Sequence, residues 1–188
     1  MACMKSFFPV FAAAFLLAAA VAAPAAPGDK MVFGIELGAP FRVPQCDSRD
    51  GVVYSARLCF DAAEVTRKAW GAVQYNVSLP NAETPAYVRG ALIAFVVGGI
   101  VESMWIETWG VQAQGGALSA LTKKYGQPAR ARQERQNTLR SRFAVQFAEW
   151  DFADFSVKFD GTTGSIDWGR VEVSMHRYRK RVEEYQKR

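Results

Sequence analysis

Histidine occurs once in the 188-residue chain, at position 176, and cysteine only three times. A serine or cysteine nucleophile working with an imidazole base would have to recruit His176. That residue alternates with Val171, Val173 and Met175 on the same side as Glu172 and Ser174, so it is expected on a solvated face. A metal centre of imidazole and thiolate lacks ligands, and the carboxylate-rich calcium loop with a central glycine is absent. The glycine pairs 98–99 and 115–116 match neither G-x-G-x-x-G nor a loop ending in G-K-[ST], so they serve turns and helix entry rather than phosphates. No metal and no cofactor is expected. The longest apolar run, residues 7–22, carries Pro9 and is shorter than the ~20 residues that cross a bilayer.

That run has another reading. Lys5 precedes it, and small residues accumulate through Ala20, Ala22, Ala23, Pro24, Ala25 and Ala26. A cationic start, a short apolar helix and an A-x-A box form an export signal. Residues 1–22 are expected to be removed after Ala22, because cleavage after Ala23 would place Pro24 at the scissile bond. Residues 23–30 then read as a Pro/Ala linker, 31–178 as one domain and 179–188 as a charged tail. No transmembrane segment is expected in the mature chain, and export predicts a periplasmic or secreted protein. Loss of Cys3 with the signal leaves Cys46 and Cys59, an even number in an oxidising compartment, where they are expected to bond.

Along the mature chain, residues 52–60 and 72–79 read as strands, with a short helix at 62–70 opened by an Asp61/Glu64 capping box and closed by Gly71. Residues 91–97 and 100–109 flank Gly98-Gly99, the signature of a tight hairpin. Residues 111–125 form the principal helix. Leu118, Leu121 and Tyr125 share a stripe, Lys123 and Lys124 occupy the last turn, Gly126 stops it and Pro128 follows. After a polar stretch at 129–141 with no strand pattern, Phe143, Val145 and Phe147, then Phe155, Val157 and Phe159, then Val171, Val173 and Met175 each alternate with polar or small residues, which predicts three antiparallel strands with their apolar rows on one face. The fold class is therefore α+β: an antiparallel sheet with one principal helix packed on it.

Charge is unevenly spread. Without Lys5 the chain holds 22 basic and 18 acidic residues. Within 123–142, Lys123, Lys124, Arg130, Arg132, Arg135, Arg140 and Arg142 face Glu134 alone, and Arg177, Arg179, Lys180 and Arg181 form a second group. In an exported protein such a segment points away from nucleic acid and toward lipid headgroups, acidic glycans or an acidic protein surface, which arginine engages bidentately. Trp105 and Trp109 would share a strand face around Glu107 and offer an aromatic contact for a sugar or a protein. The expectation is a non-catalytic binding or accessory protein of the bacterial envelope, inhibitor and immunity types included. The alternative is a small envelope-glycan hydrolase using Glu149, Asp151 and Asp154 beside Trp150 and Phe152.

Overall fold

In the computed structural model, which describes residues 28–47, 57–137 and 142–188, Gly98 and Gly99 turn the hairpin. Their φ angles of 58° and 81° suit a residue without a Cβ. They join β6 (Val88–Val97) to β7 (Ile100–Thr108), and these two become central strands. The sheet also contains β3 (Cys59–Phe60), β4 (Thr66–Arg67), β5 (Val73–Ser78), β8 (Arg130–Asn137), β9 (Arg142–Asp151), β10 (Phe155–Asp160) and β11 (Gly169–Met175). Its order is β3-β5-β6-β7-β11-β10-β9-β8, with β4 also on β5, and every pairing is antiparallel. A small hairpin of β1 (Met31–Val32) and β2 (Ile35–Glu36) precedes it. Helix α1 (Gly110–Tyr125) and helix α2 (His176–Gln186) complete the α+β domain. The expected signal segment 1–22, most of the linker 23–30, residues 52–56 and Arg140 lie outside the described residues.

Cross-strand register builds the core. One row runs Leu92, Ile106, Val171, Phe159, Ala148 and a second Ala94, Met104, Val173, Val157, Trp150. Residues directly opposite in antiparallel strands share a face, so both rows project the same way. Helix α1 covers them with Ala117, Leu121 and Tyr125, and the Trp150 indole, 2% exposed, donates to the Gly126 carbonyl at 2.8 Å. Gly126 ends the helix at φ 82° as expected. The first turn, however, begins at Gly110 and runs unbroken through Gly115 and Gly116. Val32, Ile35 and Leu37 close one edge of the same core. Cys46 and Cys59 are disulfide-bonded.

Three expectations need correction. Residues 62–70 are not a helix: Asp61 Oδ1 accepts from the Ala63 amide at 2.9 Å, but only one 3-10 turn, Ala62–Glu64, follows. Thr66 and Arg67 are drawn into pairing with β5, where tertiary pairing outweighs the local cap. The polar stretch 129–141 contains strand β8, all eight residues of which are in register with β9. The apolar rows of the last strands do not all lie on one face. Those of β10 and β11 do, through Phe155–Met175, Val157–Val173 and Phe159–Val171, but Val157 and Phe159 oppose Trp150 and Ala148 in β9. Phe143, Val145 and Phe147 therefore belong to the other face, because one residue of register inverts every side chain. Most of the charged segment 179–188 is helical, within α2.

Candidate functional site

The face opposite α1 is polar and charged. Its rows, again set by register, are Asn76, Ile93, Trp105, Glu172, Lys158, Glu149, Arg130 and, beside it, Glu107, Arg170, Asp160, Phe147, Arg132. Opposite charges alternate across the strands. Glu149 meets Arg130 (3.3 Å), Arg179 (3.5 Å) and Lys158 (3.7 Å), while Arg179 also reaches Glu172 (3.6 Å) and Arg170 reaches Asp160 (3.8 Å). A third row carries Ser103, Ser174 and Ser156. The Ser103 and Ser174 hydroxyls bond to one another, and Ser174 donates to Glu172 at 2.9 Å. Burial pushes the Asp160 carboxyl above its ordinary range against the opposing pull of Arg170, since desolvation penalises the charged form.

Strand β8 is the outer strand of this side, and among the described residues nothing pairs with its free edge. Residues 130–135 are all exposed. Alternation divides its arginines. Arg130 and Arg132 share the charged face with Phe147 and Glu149, whereas Arg135, opposite Ala144, is on the α1 side. Arg142, at the start of β9, is exposed on that α1 side as well. Arg132 pairs with Glu134 at 2.9 Å and stacks on Phe147, its guanidinium carbon 4.3 Å from the ring centre. A shallow cavity of about 300 Å³ opens beside it, lined by Arg130, Arg132, Phe147, Glu149, Lys158 and Asp160. Lys123 and Lys124 stand apart at the end of α1. Lys123 is exposed, and Lys124 bonds to the Met31 carbonyl and pairs with Asp29 at 3.3 Å. The seven basic residues thus do not form one patch. Four arginines flank one sheet edge, with Arg140 outside the described residues.

Trp105 and Trp109 are not a pair on one strand. β7 ends at Thr108, and Trp109 is the residue that caps α1. Trp105 is half-buried on the charged face, 4.6 Å from Phe95 in an edge-to-face contact and 4.6 Å from the Arg170 guanidinium carbon. Trp109 remains 46% exposed and meets residues that sequence reasoning missed. The guanidinium carbon of Arg89, from β6, lies 3.7 Å from the ring centre of Trp168 and 4.6 Å from that of Trp109. Trp168 is 37% exposed. A tryptophan within a Gly/Ser/Thr/Asp turn, GTTGSIDW, was the available signal, since no sheet row needs it.

The carboxylates considered for glycan hydrolysis each have a basic neighbour, and Glu149 and Asp151, two apart on β9, share a face of the sheet. Glu149 belongs to the ion-pair lattice, Asp151 accepts from or pairs with His176 Nε2 at 3.1 Å, and Asp154 is bound by Lys30. Trp150 and Phe152 pack with Tyr125 and the core rather than forming a platform for sugar. His176 is exposed, but as the first residue of α2 and not on a solvated strand face with Glu172 and Ser174, since Ser174 is 0% exposed. Among the described residues no group of three His, Cys, Asp or Glu side chains could hold a metal ion, and no helix is long and apolar enough to cross a membrane. No family model matches the chain, and neither a curated protein nor a solved structure matches it.

Proposed function

We propose that the chain is an exported, non-catalytic binding protein that takes an extended acidic segment of a protein partner along the free edge of β8. The observation that carries this reading is the placement of arginines on both faces of one unpaired edge strand. An added strand donates and accepts main-chain hydrogen bonds along such an edge and sends alternate side chains to either face. Acidic residues there would meet Arg130 and Arg132 on one side and Arg135 and Arg142 on the other. A flat lipid surface would engage one face at a time. Arginines on an edge also keep it from pairing with unselected strands, so the same residues serve specificity. The Cys46–Cys59 disulfide supports an oxidising compartment, in line with the export signal read at residues 1–22.

The test uses the mature protein and a synthetic peptide of repeating Glu-Glu-Val-Val, which places Glu on both faces of a strand, with a Lys-Lys-Val-Val peptide as control. Binding of the Glu peptide is expected to slow amide exchange in residues 131–137. It should weaken as salt rises, because the screening length falls from about 10 Å at 0.1 M to about 3 Å at 1 M. Exchanging Arg130, Arg132 and Arg135 for Ser should weaken binding at least about tenfold with little change in Tm, since exposed charges contribute about 0 to 1 kcal/mol. Salt-insensitive binding that survives the triple exchange would reject the β8 edge, and a large fall in Tm would show that the arginines are structural.

A further inference from the structure

A second surface, separated from β8 by strands β9 and β10, is assembled from three elements that are distant in sequence. Arg89 comes from β6, Trp109 from the junction of β7 and α1, and Trp168 from the turn before β11. Backbone contacts fix all three. The Trp109 amide donates to the Tyr87 carbonyl at 3.1 Å, the Val111 amide to Ile166 at 2.9 Å and the Thr163 amide to Trp168 at 2.6 Å. Gly110, at φ 47°, lets the turn press against the helix start. A Cβ there would lie 2.1 Å from the Ile166 carbonyl oxygen, closer than any side chain tolerates. One Arg89 nitrogen donates to the Asp167 carbonyl at 3.1 Å, which holds the guanidinium plane against the two rings.

The cost of this arrangement argues for a ligand. Two indoles 46% and 37% exposed keep large apolar area in water, each with the Arg89 guanidinium against its ring and its main chain held by the bonds above. Beside them lies Glu107, whose carboxyl is raised above its ordinary range by burial while the Arg89 charge offsets part of that effect. Gly90, at φ 82°, lies against Glu107: a Cβ at that position would stand 3.7 Å from Oε2, an ordinary contact. The surface therefore offers exposed aromatic faces, a donor fork with N–H groups beyond the one given to Asp167, and an acceptor within one patch.

From this combination we infer that Arg89, Trp109, Trp168 and Glu107 form a saccharide-binding subsite for a β-1,4-linked glycan of gluco configuration. Hydroxyl groups both donate and accept, so they match a neighbouring guanidinium and carboxyl together, where a purely anionic ligand would be repelled by Glu107. All-equatorial hexoses present rows of C–H bonds on both ring faces, which suit the indole surfaces that Arg89 leaves open. The acidic-peptide site on β8 does not enter this assignment, and either can fail without the other.

The experiment records the indole N–H resonances of the mature protein while cellohexaose or chitohexaose is added to about 5 mM, well above a weak millimolar dissociation constant. The resonances of Trp109 and Trp168 are expected to shift with one of these glycans, with that of Trp150 unchanged. Maltohexaose, whose α linkages curve the chain, is expected to bind at least about tenfold more weakly. Trp168→Ala should lower affinity at least about tenfold, and Trp168→Phe should recover most of it because the ring face is retained. The wild-type titration stands even if Trp168→Ala folds poorly. Unshifted Trp109 and Trp168 signals with both β-linked glycans would overturn the subsite, as would unchanged binding by a folded Trp168→Ala protein.

Discussion

Tyr178 shows how much a single side chain of the charged C-terminal segment does. It is 3% exposed, its ring lies 5.7 Å from Phe95, and its hydroxyl accepts from the Trp70 indole at 3.3 Å. Burial pushes its phenol up to about 12 from the ordinary 10.0, with smaller contributions from Glu172 and Glu102 and an opposing one from the Trp70 bond. The sign follows from which state keeps the proton. The folded protein retains it where the unfolded chain has released it, so this contribution to stability is complete below pH 10 and is lost as pH rises toward 12. Tyr178→Phe removes the titrating group. Its Tm is expected to start lower at pH 7, by the equivalent of about 1 kcal/mol for the lost hydrogen bond, and to fall less steeply than that of the wild type between pH 10 and 12. Parallel alkaline melting curves for the two proteins would contradict this. Cys46 and Cys59 act at the same scale through the unfolded chain, where closing a loop of their separation, 13 residues, stabilises the fold by about 3 kcal/mol.

Among the elements, α1 contains glycines with opposite meanings. Gly110 has positive φ and no room for a Cβ, whereas Gly115 and Gly116 are exposed, helical and face open space. Gly110→Ala is therefore expected to destabilise by about 3 kcal/mol or more, and Gly115→Ala and Gly116→Ala to stabilise by about 1 kcal/mol each. Chemical denaturation of the three variants distinguishes them. A neutral Gly110→Ala would refute the close approach between the helix start and the 161–168 turn. The helix stop at Gly126 and the hairpin at Gly98-Gly99 were legible because each is a local backbone requirement. Strand β8 was not. ARAR-type sequence has no apolar alternation, and the strand exists because the backbone of β9 supplies partners for all eight residues. The inversion of β9 was hidden for a related reason: both of its faces carry apolar residues, and pairing of Trp150 with Val157 decides which row enters the core.

For the whole molecule, the sequence made the class of fold legible and the site only in fragments. The three late strands and one helix imply an antiparallel sheet with a covered face, but the meeting of residues 89, 109 and 168 leaves no mark on any local window, even where a single tryptophan in a turn stands out. The second face was equally hidden, since α2 reads as a solvated charged end. In the structure its 11 residues, too few for stability alone, are held by Tyr178, by the Trp70–Tyr185 ring contact at 5.9 Å and by ion pairs of Arg177 with Glu102 and of Arg179 with Glu149 and Glu172. Glu102 is 5% exposed, and a charge buried without its partner is costly. Removing residues 176–188 would uncover Phe95 and leave Glu102 without Arg177. The shortened protein is expected to lose about 3 kcal/mol or more, which is a fall in Tm of roughly 6–12 °C at this size. Removing only Lys187 and Arg188, both exposed, should change Tm by no more than about 1–2 °C. Equal melting temperatures for the two truncations would mean that α2 contributes no cover to the charged face of the sheet.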